Sequence, residues 1–299
     1  MEINSQFVSG PARPASTVVM LRDGERAGPS SLEVFLLKRN GLSDVLGGAY
    51  VFPGGKVDRF DAELDMQAHL DVTPEALHTA LCEPDLQALT AASLYVAALR
   101  EAFEESGVLY AQNATAQDAA QANELLREGR SFEEVLAMMK LRLQPSALTP
   151  WSRWITPQMP SIMNKRFDTR FFLATVPATQ TALHDNHEAI DSVWLTPRAA
   201  LEQYRDGQIE LAPPQIMSLA HLSRYQNVQQ AVSAAQRQKP AVVQPEPFDD
   251  DHGVRVLTYP GDARHSVKTR ALPGPTRLRY NLQKRFEPID GFEALFVDS

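Results

Sequence analysis

The chain has 299 residues, 43% of them hydrophobic and 22% charged. That is enough apolar material for one large core and is not the composition of a disordered chain. A formal net charge of -8 excludes a surface built to coat nucleic acid, so a phosphate-bearing ligand has to be met by local Arg and Lys, by a metal ion, or by both. The single cysteine, Cys82, excludes an internal disulfide framework and a thiolate zinc site.

Residues 1–16 carry no apolar signal region, no run reaches the length of a membrane span, and the last four residues are not a peroxisomal address. The expectation is a soluble, cytoplasmic protein with no membrane partner. The first predicted element is a β-branched run at 17–21. Turn chemistry at 22–31, including Gly24, Gly28 and Pro29, leads to a strand at 32–38, and the two suggest a hairpin. A Gly/Pro-rich loop at 47–58 contains a short apolar strand. Thr73-Pro74-Glu75 reads as a helix start, and Pro84-Asp85 as another.

From about 90 to 106 the pattern is helical. Tyr95, Ala98, Leu99, Ala102 and Phe103 form one apolar stripe, and Gly107 is a natural stop. Residues 115–141 predict two more helices, the second opened by the capping box Ser131 to Glu134. Residues 170–176 and 193–195 read as strands. Helices are expected from Pro197 to about 204 and from Pro213 to about 225. The Gln-, Ala- and Pro-rich stretch 226–247 reads as a linker, and 248–299 as a β-rich extension.

The chemistry concentrates in Arg100-Glu101-Ala102-Phe103-Glu104-Glu105-Ser106-Gly107-Val108. At about 100° per residue, Glu101, Glu104 and Glu105 share one side of a helix, beside the apolar stripe. Three carboxylates on one turn repel one another, and a hard divalent cation such as Mg²⁺ or Mn²⁺ relieves that repulsion with oxygen ligands. Arg100 is set to pair with one carboxylate and fix its rotamer. The ordinary alternative is a solvated acidic face with an Arg100–Glu104 i, i+4 pair.

The segment upstream shifts that balance. Taken with Phe52-Pro53-Gly54-Gly55-Lys56-Val57-Asp58, the helix resembles the box of the nudix hydrolases: Gly, five residues, Glu, seven residues, Arg-Glu, an apolar residue, any residue, Glu-Glu, any residue, Gly, an apolar residue. Ala102 is smaller than usual. Asp61 stands where the first-half Glu falls, and 38 residues separate it from Arg100 where the family has seven. An insertion of about 31 residues, folded as helices at about 62–92, is inferred.

A box interrupted in this way resembles the peroxisomal acyl-coenzyme A diphosphatases of mammals and their bacterial relatives. Gly48-Ala49-Tyr50-Val51-Phe52-Pro53-Gly54-Gly55 matches the end of their coenzyme A motif, and Leu36-Leu37-Lys38-Arg39 resembles its beginning with one residue missing before the Arg. Residues 40–45, Asn-Gly-Leu-Ser-Asp-Val, lack its second Arg.

The resemblance implies an α/β (α+β) nudix fold over 13–225, a mixed sheet between helices, with the insertion and the extension added. It implies Glu101, Glu104 and Glu105 as ligands of Mg²⁺ or Mn²⁺, with Glu104 and Glu105 catalytic. Gly54 and Gly55 let the backbone approach the ligand. Glu188, ahead of Trp194, is the candidate general base, with Asp58, Asp61 and Glu105 as alternatives. Arg39 and Arg166 are candidate phosphate contacts, Lys165 and Arg170 weaker ones. His184, His187 and His221 show no ligand spacing, and Trp151 and Trp154 read as core residues before base-stacking ones.

The implied substrate is a small nucleotide. Coenzyme A or acyl-coenzyme A comes first, giving 3′,5′-ADP and (acyl-)4′-phosphopantetheine. A nucleotide sugar, a dinucleotide or a capped RNA end comes second, and a non-catalytic nudix-like binding module third. No stable nucleic-acid partner is expected, and the resemblance leaves a homodimer open.

Overall fold

The computed structural model describes residues 7–25, 30–43, 46–160, 165–185 and 188–297. Its centre is a mixed sheet. Strands β1 (Arg13–Asp23), β2 (Leu32–Arg39), β3 (Tyr50–Val51), β4 (Gly54–Lys56), β5 (Thr149–Ile155), β6 (Phe167–Thr175), β7 (Ala189–Leu195) and β8 (Ala241–Val243) belong to it. The order is β3-β2-β1-β6-β5-β8, with β4 paired to β1 and β7 to β2. β1 runs parallel to β6 over nine residues but meets β2 only at Leu21–Val34, Arg22–Glu33 and Asp23–Leu32. The expected hairpin is therefore a short one. Its turn at 26–29, with Gly28 and Pro29, lies outside the described residues, as do Asp44, Val45 and His187.

Alternation along β1 sorts the core into two layers. Val18 and Met20 face one side with Phe35 and Leu37 of β2, while Val19 and Leu21 face the other with Val34 and Leu36. The first face is covered by α1 (Arg59–Glu63), α2 (Met66–His69), α3 (Pro74–Leu81), α4 (Ala88–Ser106), α5 (Ala116–Arg127) and α6 (Phe132–Met139). The second is covered by α7 (Pro197–Arg205), α8 (Pro213–Leu222), α9 (Val228–Gln236) and a four-stranded antiparallel sheet. That smaller sheet consists of β9 (Glu246–Asp249), β10 (Arg255–Thr258), β11 (Arg277–Tyr280) and β12 (Phe286–Pro288). No described helix is long and apolar enough to cross a membrane.

Local chemistry fixes the ends. Thr73 caps α3 through Ala76 N–H, with Pro74 in its first turn, and Ser131 with Glu134 forms the capping box of α6. Gly107 ends α4 in the left-handed region at φ +71°. Pro84-Asp85 opens no helix: α4 starts at Ala88, and the two residues belong to the connection after α3.

The linker reading of 226–247 does not hold. Asn227 caps α9 by accepting from Gln230 N–H, and Val228, Ala231 and Ala235 are buried at helical spacing beneath an exposed Gln-rich face. The chain then adds β8 parallel to β5, with Val243 fully buried. The glutamines hide the short Ala/Val stripe that does the packing. Strand β5, which carries Trp151 and Trp154, had no alternating pattern to announce it.

Candidate active site

The two halves of the box meet. Strand β4 lies antiparallel to β1, Gly54 opposite Thr17 and Gly55 opposite Ser16, and Ser16 Oγ donates to Leu94 O of α4 at 2.7 Å. This holds the glycine segment over the carboxylate turn. Gly54 N–H donates to Glu105 Oε2 at 2.8 Å. A Cβ on Gly55 would stand 2.5 Å from Glu101 Oε1, and one on Gly54 would stand 2.4 Å from Ser16 O. The protein's own packing, against β1 and Glu101, thus leaves no room for a Cβ at either glycine.

Arg100 is the hub. Its Nε and Nη2 donate to the two oxygens of Asp61 at 2.8 and 2.9 Å, and its Nη1 donates to Glu101 Oε1 and Glu104 Oε2, both at 2.9 Å. Asp61 is buried and also accepts from Asp58 N–H at 2.7 Å, closing the capping box of α1. The guanidinium therefore spans both halves of the motif across the insertion, the fork-to-fork geometry that only Arg supplies. The insertion itself folds back onto α4 through Leu77 and Leu81. It is pinned to the sheet by Glu83, which pairs with Arg153 and Arg170. Arg170, considered above as a phosphate contact, is buried and committed to Glu83 and Asp168.

The electrostatics show a shortage of positive charge. Burial pushes the Glu105 carboxyl up to about 8, against the opposing Gly54 N–H and Arg39 and with Glu101 adding repulsion. Burial likewise pushes Glu101 up to about 7, with Arg100 opposing and Glu104 and Glu188 adding repulsion. Glu104 is raised by burial as well. Among the described residues no three acidic, His or Cys side chains stand converged as a metal site, and Arg100 Nη1 donates to both Glu101 and Glu104. The all-oxygen donor set and the raised carboxyls of Glu101, Glu104 and Glu105, which share few cations, fit a hard divalent cation.

Beside this turn opens a cleft of about 440 Å³. Arg39, Gly54, Gly55, Glu101 and Glu188 line it together. Arg39 bridges Glu105 (3.9 Å) and Glu188 (3.5 Å), and Glu188 is largely exposed. Arg166 is the residue the structure does not bring in. Its Nε and Nη1 donate to Thr156 O and Gly10 O, fastening the N-terminal segment to the end of β5, and it does not line the cleft. The cations that do line it besides Arg39 are Arg13, Lys56 and Lys165. Arg13 and Lys56 carried no signal in sequence because isolated surface cations have no pattern. Trp154 is both a core residue and part of the cleft wall. His184 bonds Ser192, away from any cluster of ligands.

Sheet, helix and interrupted box define a nudix hydrolase. A solved nudix hydrolase from Alicyclobacillus acidocaldarius is similar at 25% identity and a TM-score of 0.58, over 77% of this chain and 97% of that one. A profile of the NUDT19 Nudix domain matches residues 12–222, and the chain belongs to that family. Among its relatives are the acyl-coenzyme A diphosphatase NUDT19 of Xenopus laevis, 29% identical over 78% of this chain, and that of Gallus gallus, 28% identical over 67%. The matches span 71% and 64% of those proteins' own lengths.

Proposed function

We propose that the chain hydrolyses the diphosphate of coenzyme A and its acyl derivatives, releasing 3′,5′-ADP and (acyl-)4′-phosphopantetheine. One observation carries the reading. Arg100 joins Asp61 to Glu101 and Glu104, so the interrupted box closes into a single carboxylate site on a cleft large enough for a nucleotide. The similarity to proteins named acyl-coenzyme A diphosphatases supports the substrate class.

Glu101, Glu104 and Glu105 would hold Mg²⁺ or Mn²⁺. Such an ion, when bound, offsets the charge of the phosphoryl oxygens. Arg39 offers its fork to a phosphate at the cleft and orients Glu188, which we assign as general base because it is exposed to solvent beside that fork. Arg100 positions Glu101 and Glu104 and touches no substrate. Catalysis in a reducing compartment such as the cytoplasm fits the exposed thiol of Cys82.

The test is a turnover panel with Mg²⁺ or Mn²⁺: coenzyme A, acetyl- and longer acyl-coenzyme A, ADP-ribose, NADH, a diadenosine polyphosphate and a capped RNA, with Glu104→Gln as control. Release of 3′,5′-ADP, reduced at least roughly 100-fold in the variant, is expected. Turnover of another member of the panel instead would replace coenzyme A as substrate. No turnover of anything by folded protein would remove the enzymatic reading.

A further inference from the structure

The cleft is unevenly charged. Its acidic lining residues, Glu101 and Glu188, belong to the end where Arg39 meets the carboxylate turn. Among the described residues, the remaining charged groups of the lining are all cations: Arg13, Lys56 and Lys165, each from a different segment.

Strand pairing brings these cations together. Along β1 the lining positions are Arg13, Ala15 and Thr17, which alternate onto one face. Lys56 of β4 stands opposite Ala15, and directly opposed residues of an antiparallel pair share a face. Arg13 is thus the diagonal neighbour of Lys56, roughly 7–8 Å away, within reach of two long side chains. Lys165 arrives from the other side of β1: Arg13 N–H donates to Arg166 O at 2.9 Å, and Arg13 is aligned with Phe167 of β6. Arg39 is engaged by Glu105 and Glu188. The side chains of Arg13 and Lys56, by contrast, are exposed and have no carboxylate partner among the described residues. In a chain of net charge -8, positive charge left open in this way attracts an anion.

Position identifies the anion. The carboxylate turn meets β4 at Gly55, opposite Ser16. Arg13 lies three residues before Ser16 on β1, about 10 Å of strand. That offset is the span of a ribose, so a nucleotide whose diphosphate lies at the turn brings the far side of its sugar to the cations. On coenzyme A the 3′ oxygen of that sugar carries a phosphate monoester, while the pantetheine arm is uncharged. A dianion there meets the planar fork of Arg13 and the point charge of Lys56.

We infer that Arg13 and Lys56, with Lys165 beside them, form the subsite for the 3′-phosphate of the substrate and select nucleotides that carry it. ADP-ribose, NADH and the diadenosine polyphosphates have free ribose hydroxyls and forgo this contact. The inference rests on the coenzyme A activity proposed above and names the group that sets that substrate apart.

Calorimetry on the full chain at low ionic strength compares 3′,5′-ADP with 5′-AMP for wild type, Arg13→Gln, Lys56→Gln and the double variant. The wild type is expected to bind 3′,5′-ADP roughly tenfold more tightly, with a margin that shrinks as salt is raised. In the double variant the two affinities should come within about twofold of each other. Both side chains are exposed, so the melting temperature should stay that of the wild type. Equal affinities in the wild type overturn the inference without any variant. So does a margin that survives in the folded double variant, which marks a general preference for charge. An equal loss for both nucleotides overturns it too, because the two cations then serve the 5′-phosphate, and so does failure to bind either nucleotide. Turnover of coenzyme A against its 3′-dephospho form separates the subsite from the activity. Turnover of both with the same kcat/KM removes the subsite alone. A 3′,5′-ADP preference lost in the double variant, with no turnover of coenzyme A, keeps the subsite and removes the activity.

Discussion

At the scale of residues, the site is a balance between carboxylates and too few cations. Arg100 spends one nitrogen on Glu101 and Glu104 together and the other two on Asp61. Glu105 is left with a backbone amide and a guanidinium 3.9 Å away. Its carboxyl and that of Glu101 are raised to about 8 and about 7, chiefly by burial. The folded state therefore holds protons that the unfolded chain, with ordinary carboxylates, releases near pH 4 to 5. The stability these groups contribute is fully present below that range and is lost as pH rises through 7 and 8. In chelator, the melting temperature should fall between pH 6 and pH 8.5, and Mg²⁺ should restore more of it at pH 8.5 than at pH 6. A melting temperature flat across that range in chelator would contradict the raised values.

At the scale of elements, the insertion is held where it matters by Glu83, at the end of its last helix, against Arg153 and Arg170. Glu83→Ala leaves a buried guanidinium short of one carboxylate, and a cost of about 2 kcal/mol is expected. Because the insertion is then less firmly docked, limited proteolysis should cut between α1 and α4 before it cuts elsewhere. Cleavage unchanged from wild type would show that the apolar contacts of Leu77 and Leu81 suffice.

Elements also show what could be read from the chain beforehand. The long helix α4, its Gly107 stop and the capping boxes were legible because periodicity and caps are local. The main-sheet strand β2 was legible for the same reason. Pairing was not: β1 reads as half of a hairpin, yet its long partner is β6, about 150 residues further on. Helix α9 was missed because three small apolar residues among glutamines give a weak signal. The carboxylate turn, Arg100 and Arg39, candidates by motif, stand together in the structure. Arg166 serves the N-terminal segment instead, and nothing in the spacing marks Arg13 or Lys56, since a side chain's orientation toward a cleft is a tertiary property that no spacing encodes.

At the scale of the whole molecule, the C-terminal part is not a separate module. Trp151 and Trp154 of β5 share one core with Leu257, Tyr259, Leu278 and Phe286 of the extension, and Trp154 meets Tyr259 edge-on at 6.1 Å. Tyr204 on α7 exchanges hydrogen bonds with the backbone of Phe286, and Arg285 returns to Glu210. A chain ending at Tyr225 would lose α9, β8 and this cover, leaving a large aromatic surface in water. Such a fragment should be recovered mainly as aggregate. A soluble fragment that melts like the intact protein would show the extension to be dispensable.

The detour between Asp61 and Arg100 also bears on how the chain reaches this state. Closing a loop of 38 residues instead of seven adds only about 1.5 kcal/mol of entropy cost, because that cost grows with the logarithm of length. Burying Leu64, Met66, Leu70, Leu77 and Leu81 outweighs it. The detour is therefore tolerated on its own packing, and the ion pair of Arg100 with Asp61 closes it at little cost in chain entropy.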